Sequence, residues 1–265
     1  MAEIVFGFGT SHGPLLATPP EQWDLRANVD RKNKELAFRE GTYDFEKLYE
    51  LRKGEHFEKQ NENAVRAERD ARCQKQLDVI GEKVKQVNPD AILIVGDDHH
   101  EWFLNDIQPT FSIFHGKEVF NRALTKAEEE DKISKGGGYA MKIYYPQKDE
   151  TYPCPSGLAA HIVKSAVSYK GAERIAVAAS GGVSHFVVDE DMDRRLLDAM
   201  LKKDYATLMS EPDIYFRSGT SETKNWIVTA GILAETNLKM DLLDYVPCYR
   251  SEAGTGSGMA FATWQ

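Results

Sequence analysis

Four short segments, far apart in the chain, carry side chains able to bind a metal or move a proton. They are Thr10-Ser11-His12-Gly13, Gly96-Asp97-Asp98-His99-His100, Ser180-Gly181-Gly182-Val183-Ser184-His185 and Ser221-Glu222-Thr223-Lys224-Asn225-Trp226. Three of them can offer two neutral imidazoles and one carboxylate to a metal ion, and the fourth a histidine beside it. Two histidines and a carboxylate with open coordination positions form the facial arrangement of non-haem Fe(II) oxygenases. An imidazole kept off the metal can take up and return a proton near neutral pH.

The elements that must position these groups are legible as hydrophobic runs. Glu3 to Phe8, Ala91 to Val95 and Arg174 to Ala179 read as buried strands, and each runs directly into one of the segments. Ala91 to Val95 reads as a central strand covered on both faces. Strands alternating with helices predict an α/β fold: a single layered domain over residues 1–265, with a mixed, largely parallel central sheet flanked by helices. Strand C-terminal ends are where such sheets gather ligands. Between Glu21 and Val87 charged residues dominate and Leu48, Leu51, Val65, Leu77, Ile80 and Val84 recur at helical spacing. Residues 21–87 are therefore expected to form a helical insertion near the N-terminus, part of it over the mouth of the site.

Further along, Pro109 to Phe114 and Met141 to Tyr145 read as strands, and Asn121 to Gly138 as an exposed, mobile connection. Tyr152-Pro153-Cys154-Pro155-Ser156-Gly157 reads as a rigid loop before a helix over Leu158 to Tyr169. Asp191 to Lys202 and Thr223 to Leu233 are helix candidates. Tyr245 to Tyr249 and Met259 to Trp264 read as late strands around Gly254-Thr255-Gly256-Ser257-Gly258.

Composition limits the functions open to the chain. With 33 basic against 42 acidic residues the formal charge is −9, which disfavours a nucleic-acid surface. No apolar run is long enough for a transmembrane helix, and the N-terminus lacks the pattern of a signal peptide. Three cysteines without a C-x-x-C pair suit a reducing compartment, so the expected location is cytoplasmic.

Each candidate has a plainer reading. A lone histidine is more often a surface or satisfied core residue than a ligand. Three histidines placed just after strands, with small residues beside them, weigh against that. Glu222 could simply favour a helix N-terminus, a role compatible with presenting a carboxylate to a metal. Adjacent His99 and His100 compete for one inward position, and a neighbouring carboxylate could orient a ligating imidazole. His56 reads as solvated, and His115 and His161 as packed. The 254–258 glycines lack the lysine of a phosphate loop and precede a strand. Arg250 beside them is a candidate anion anchor or a surface ion-pair residue, and Thr255 is the accompanying substrate-contact candidate.

Taken together, the four segments resemble the class III extradiol ring-cleavage dioxygenases, the superfamily of the protocatechuate 4,5-dioxygenase β chain. The resemblance runs from His12 to Glu222 in the same order, and includes the Tyr152 to Gly157 loop. The charged insertion and the Tyr249-Arg250 to Trp264 ending look closer to the methylgallate-cleaving branch. The resemblance implies an Fe(II) ion held by His12, His99 and Glu222, with His100 as the runner-up ligand. His99 is favoured by its spacing to Phe103, although Asp-Asp-His-His-Glu departs from the Asn-Asp-His pattern of the protocatechuate enzyme. It implies His185 as the catalytic acid/base, and a small aromatic diol (a catechol such as a gallate, methylgallate or protocatechuate) plus O2 as substrates. The setting would be aromatic hydrocarbon catabolism. A homodimer is the expected assembly. Two other readings keep the same scaffold: a Zn(II)-dependent hydrolase and a non-catalytic aromatic-binding protein.

Overall fold

The computed structural model describes residues 3–98, 103–104, 106, 109, 112–134, 145–163 and 173–265. Its main sheet is assembled around β1 (Glu3–Thr10) and β7 (Arg174–Ser180), which run parallel in a register that sets Thr10 beside Ser180. On the far side of β7 lies β4 (Ala91–Val95), also parallel, with Val95 beside Ala179. The remaining strands are antiparallel. β10 (Thr255–Trp264) pairs along one edge with β1 and with β8 (His185–Val187), and along the other with β9 (Met240–Tyr249). The fold is thus the expected mixed α/β arrangement. Its parallel block, β4–β7–β1, carries three adjacent strands to a common end.

β10 is buried along its whole length, and its period-two alternation serves two layers. Ala260, Ala262 and Trp264 join a core with α6 (Glu190–Lys202) and α8 (Thr223–Ala234), built on Leu196, Leu197, Trp226 and Leu233. Met259 and Phe261 join the opposite core with Leu15, Trp23, Val246 and α3 (Asn63–Val87). Cys73, Leu77, Ile80 and Val84 give α3 its apolar stripe. The same stripe begins with Arg66 and Arg69, both buried. Arg66 donates to Asp24 at 2.8 Å and to the Arg250 carbonyl at 3.2 Å, and Arg69 to the Gln60 side chain.

Several elements depart from expectation. The 21–87 insertion holds α1 (Trp23–Asp30), α2 (Phe45–Arg52) and α3, but is not all helix. Between α1 and α2, β2 (Leu36–Phe38) and β3 (Gly41–Tyr43) form a hairpin across Arg39-Glu40, with Arg39 at φ 51°. Strands of three residues are too short to show their alternation against so many charges. β4 pairs only with β7 among the described residues, and Ile92 and Ile94 are 40% and 65% exposed. An apolar run alone does not distinguish an edge strand from a covered central one.

Within the expected connection at 121–138, Lys126–Ser134 is helical (α4), following β5 (Glu118–Asn121). The supposed Tyr152 loop begins inside β6 (Glu150–Pro153), which pairs with β5. Helix α5 covers Ser156–Val163, and α7 (Tyr205–Ser210) follows α6. Pro109 and Ser112 to Phe114 are not strand. Thr110, Phe111, the 141–144 strand and the 164–169 end of the predicted helix lie outside the described residues. His56 and His115 are exposed and His161 half-buried, so the packed reading fails for His115. Among the described residues no helix is long and apolar enough to cross a membrane.

Candidate metal and acid-base site

Because β4, β7 and β1 are parallel neighbours, the segments after them leave the sheet side by side. The start of α8 lies across these ends and is tied to them. Asn225 Nδ2 donates to the Ser180 carbonyl at 2.8 Å, and Trp226 Nε1 to the Gly181 carbonyl at 2.8 Å. Asp97, two residues beyond β4, accepts Ser221 Oγ–H at 2.6 Å and Asn225 Nδ2–H at 3.0 Å. The Gly181 N–H in turn donates to the Thr10 carbonyl of β1 at 3.2 Å, so three strand ends and one helix start form one cross-linked cluster.

Glu222 closes a short 3-10 turn, Ser218–Glu222, immediately before α8. Its buried Oε2 accepts the Gly182 N–H at 2.7 Å. The glycine pair makes this approach sterically open. Gly181 has φ +110°, and a Cβ there would stand 2.6 Å from Glu222 Oε2. A Cβ at Gly182 would collide with the His185 imidazole.

His185 is not at a loop tip: it opens β8, opposite Ser257 of β10. Its backbone N–H donates to Thr220 Oγ at 2.9 Å, and Thr220 Oγ–H donates to the His185 carbonyl at 2.5 Å. Nδ1 lies 2.9 Å from the Val183 carbonyl, which can only accept, so the ring proton sits on Nδ1. Nε2 is then the basic nitrogen and lies 3.5 Å from Glu222 Oε2. Burial lowers the His185 pKa below its ordinary value. Glu222 and the Val183 carbonyl oppose that shift, and the charges of Arg250 and His12 reinforce it. A neutral imidazole at pH 7, with its basic atom facing a carboxylate, is equipped to accept a proton.

His12 follows β1 by two residues, is exposed, and stands near enough for its charge to be felt at His185. The structure therefore gathers His12, His185 and Glu222 at one end of the sheet. His99 and His100 lie outside the described residues, so the competition between them stands as the sequence leaves it. Among the described residues no three His, Cys, Asp or Glu side chains gather at metal-holding spacing. The donors that are described still fit a divalent iron chemically: a buried carboxylate and an imidazole, with no thiolate among them. Cys73 and Cys248 sit in the other core, against α3.

Arg250 and Thr255 are placed differently from the expected substrate contacts. Arg250 is 3% exposed and pairs with Asp30 through Nε at 2.5 Å and through a second nitrogen at 3.1 Å. Thr255 Oγ–H donates to the same Asp30 at 2.6 Å. Both are engaged inside the protein, joining α1 to the β9–β10 hairpin. Arg250 is a buried ion-pair residue here, neither a free anion anchor nor a surface pair. From the 21–87 segment, the Arg26 guanidinium lies 5.5 Å from the ring centroid of Phe186, the residue after His185.

Thr220 and Asp193 are the supporting residues that sequence reasoning missed as individuals. Asp97 was visible as a possible orienting carboxylate, and here it also ties the end of β4 to Ser221 and Asn225. A cavity of about 690 Å³ lies elsewhere: Phe38, Arg39, Arg52, Asp189, Glu190 and Tyr249 line it, and His12, His185 and Glu222 do not. Its three arginines are already paired, Arg39 with Asp189, Arg52 with Glu55 and Arg194 with Glu190. The chemistry-bearing cluster, not this cavity, defines the candidate site.

Comparison with known proteins gives no match to any protein-family model, and no curated protein matches the chain.

Proposed function

We propose that the protein is a class III extradiol dioxygenase, using Fe(II) and O2 to open the aromatic ring of a catechol-type substrate. One observation carries the reading. A buried, neutral His185 presents Nε2 to the Glu222 carboxylate where β1 and β7 end, with His12 beside them. His12, Glu222 and one imidazole of the His99-His100 pair would hold the iron, with His99 preferred. When bound, the iron supplies the redox chemistry and open positions for a diol and O2.

The chain's own groups handle position and protons. His185 Nε2 takes a proton from a substrate hydroxyl and returns it as an acid after the ring is attacked. Nδ1 stays committed to Val183, so the ring keeps one orientation through both steps. Gly181 and Gly182 let the carboxylate and imidazole approach each other. The 21–87 segment, through Arg26 and Phe186, walls the side of β8. Unpaired thiols at Cys73, Cys154 and Cys248 fit a reducing, cytoplasmic setting, and we take the working unit to be a homodimer.

Metal binding by variants tests the ligand set. Anaerobically reconstituted protein should hold about one Fe(II) per chain. Glu222→Gln and His12→Ala should each weaken iron binding about tenfold or more. Of His99→Ala and His100→Ala, one should lose iron and the other keep it. Undiminished iron binding in Glu222→Gln and His12→Ala would refute the site. Tightly held zinc, with activity insensitive to iron chelation, would favour the hydrolase instead.

A further inference from the structure

We propose that Asp193 is a positioning residue for His185, holding the imidazole in place through Ser184. Asp193 lies in the first turn of α6 and is wholly buried. Its Oδ1 accepts the Ser184 N–H at 2.9 Å, and its Oδ2 accepts the Ser184 Oγ–H at 2.6 Å. One carboxylate thus grips both polar hydrogens of the residue preceding His185. Ser184 Oγ in turn accepts the Asp189 N–H at 3.0 Å, and the Ser184 carbonyl accepts the Gly258 N–H at 2.9 Å. Every polar group of Ser184 is engaged, so the peptide entering His185 has one position. Thr220 fixes the far side of His185, and Nδ1 can then reach Val183.

The cost of this carboxylate supports a role beyond filling space. Burial pushes Asp193 up to about 7, against the hydrogen bonds of Ser184 and Tyr245, and the charge of Asp189 pushes the same way as burial. Tyr245 Oη–H on β9 donates to Oδ2 at 2.7 Å. Around that phenol stand Glu190 and the Arg194 guanidinium, 4.8 Å from its ring centroid. A leucine would occupy similar volume without desolvating a charge.

The inference leans on the proposed acid-base role of His185 only for its catalytic consequence. Its test therefore reads the imidazole itself. Protein labelled with 15N in histidine is observed at pH 8, where Asp193 is ionised, and the His185 signals are assigned by their loss in His185→Gln. The wild type should show one Nδ1–H tautomer with a protected proton. Asp193→Leu and Ser184→Ala should lose that protection and populate the second tautomer. Asp193→Asn keeps an acceptor for the Ser184 N–H and should restore most of the wild-type signal. Tyr245→Phe, which leaves the Ser184 grip intact, should leave it unchanged. If Asp193→Leu does not fold, Ser184→Ala decides alone. An unaltered His185 Nδ1–H in Ser184→Ala, or in a folded Asp193→Leu, would overturn the proposal, whether or not the protein cleaves a diol. Where the protein does turn over, the two disrupting variants should lower kcat with KM little changed.

Discussion

His185 combines two properties: its ring is buried, and its basic nitrogen faces a carboxylate rather than an apolar wall. Removing it should separate proton transfer from metal binding. His185→Ala is expected to lower kcat by about 10²–10⁴-fold, with iron content unchanged, as read by single-turnover kinetics alongside metal analysis. Turnover at the wild-type rate would show that the proton moves by another route. Asp193 gives a prediction about pH. Its carboxyl is raised from 3.8 to about 7 in the folded chain, so its stabilising contribution is full below 3.8 and is lost as pH rises through about 7. Across that window this one group costs on the order of 4 kcal/mol. Asp193→Asn should therefore flatten the fall in melting temperature between about pH 4 and 8 relative to wild type; parallel curves would contradict the assignment. His12, His185 and Glu222 were legible in the sequence because histidines are few and each sits beside small residues after a strand or before a helix. Asp30 and Asp193 were not, because among 42 acidic residues only packing selects the ones that become buried or bridge two elements.

At the scale of elements, the site is made by three parallel strands ending together and by one helix start pinned across them through Asp97, Asn225 and Trp226. The three strands were legible because each apolar run stops at a glycine, serine or threonine. Their adjacency was not, since nothing in the chain states that β7 lies between β4 and β1. The β2–β3 hairpin was hidden for a different reason: it is three residues per strand inside a charged stretch. Helix α1 is anchored by another buried charge, Asp30, which holds Arg250 and Thr255. Asp30→Ala would leave the Arg250 guanidinium buried without its carboxylate. Urea denaturation should show a loss of about 3–5 kcal/mol. A loss below about 1 kcal/mol would mean that Arg250 reaches solvent or a new partner as α1 shifts.

Over the whole molecule, the sheet divides two cores, one under α3 and one under α6 and α8, and the candidate site occupies the end of the sheet between them. The mixed α/β class followed from the alternation of strand and helix patterns. The course of β10, shared between β1, β8 and β9, did not, because a strand buried along its whole length shows neither its neighbours nor their direction. The chemistry proposed for this assembly is the opening of a diol's aromatic ring. The measurement that tests it most directly is anaerobic loading with Fe(II), addition of a panel of catechols including carboxylated and methoxylated ones, and admission of O2 while uptake and absorbance are followed. At least one diol should consume O2 in about equal molar amount and give a yellow ring-opened product carrying both oxygen atoms. Iron-loaded protein that consumes no O2 and forms no product with any diol would contradict the account.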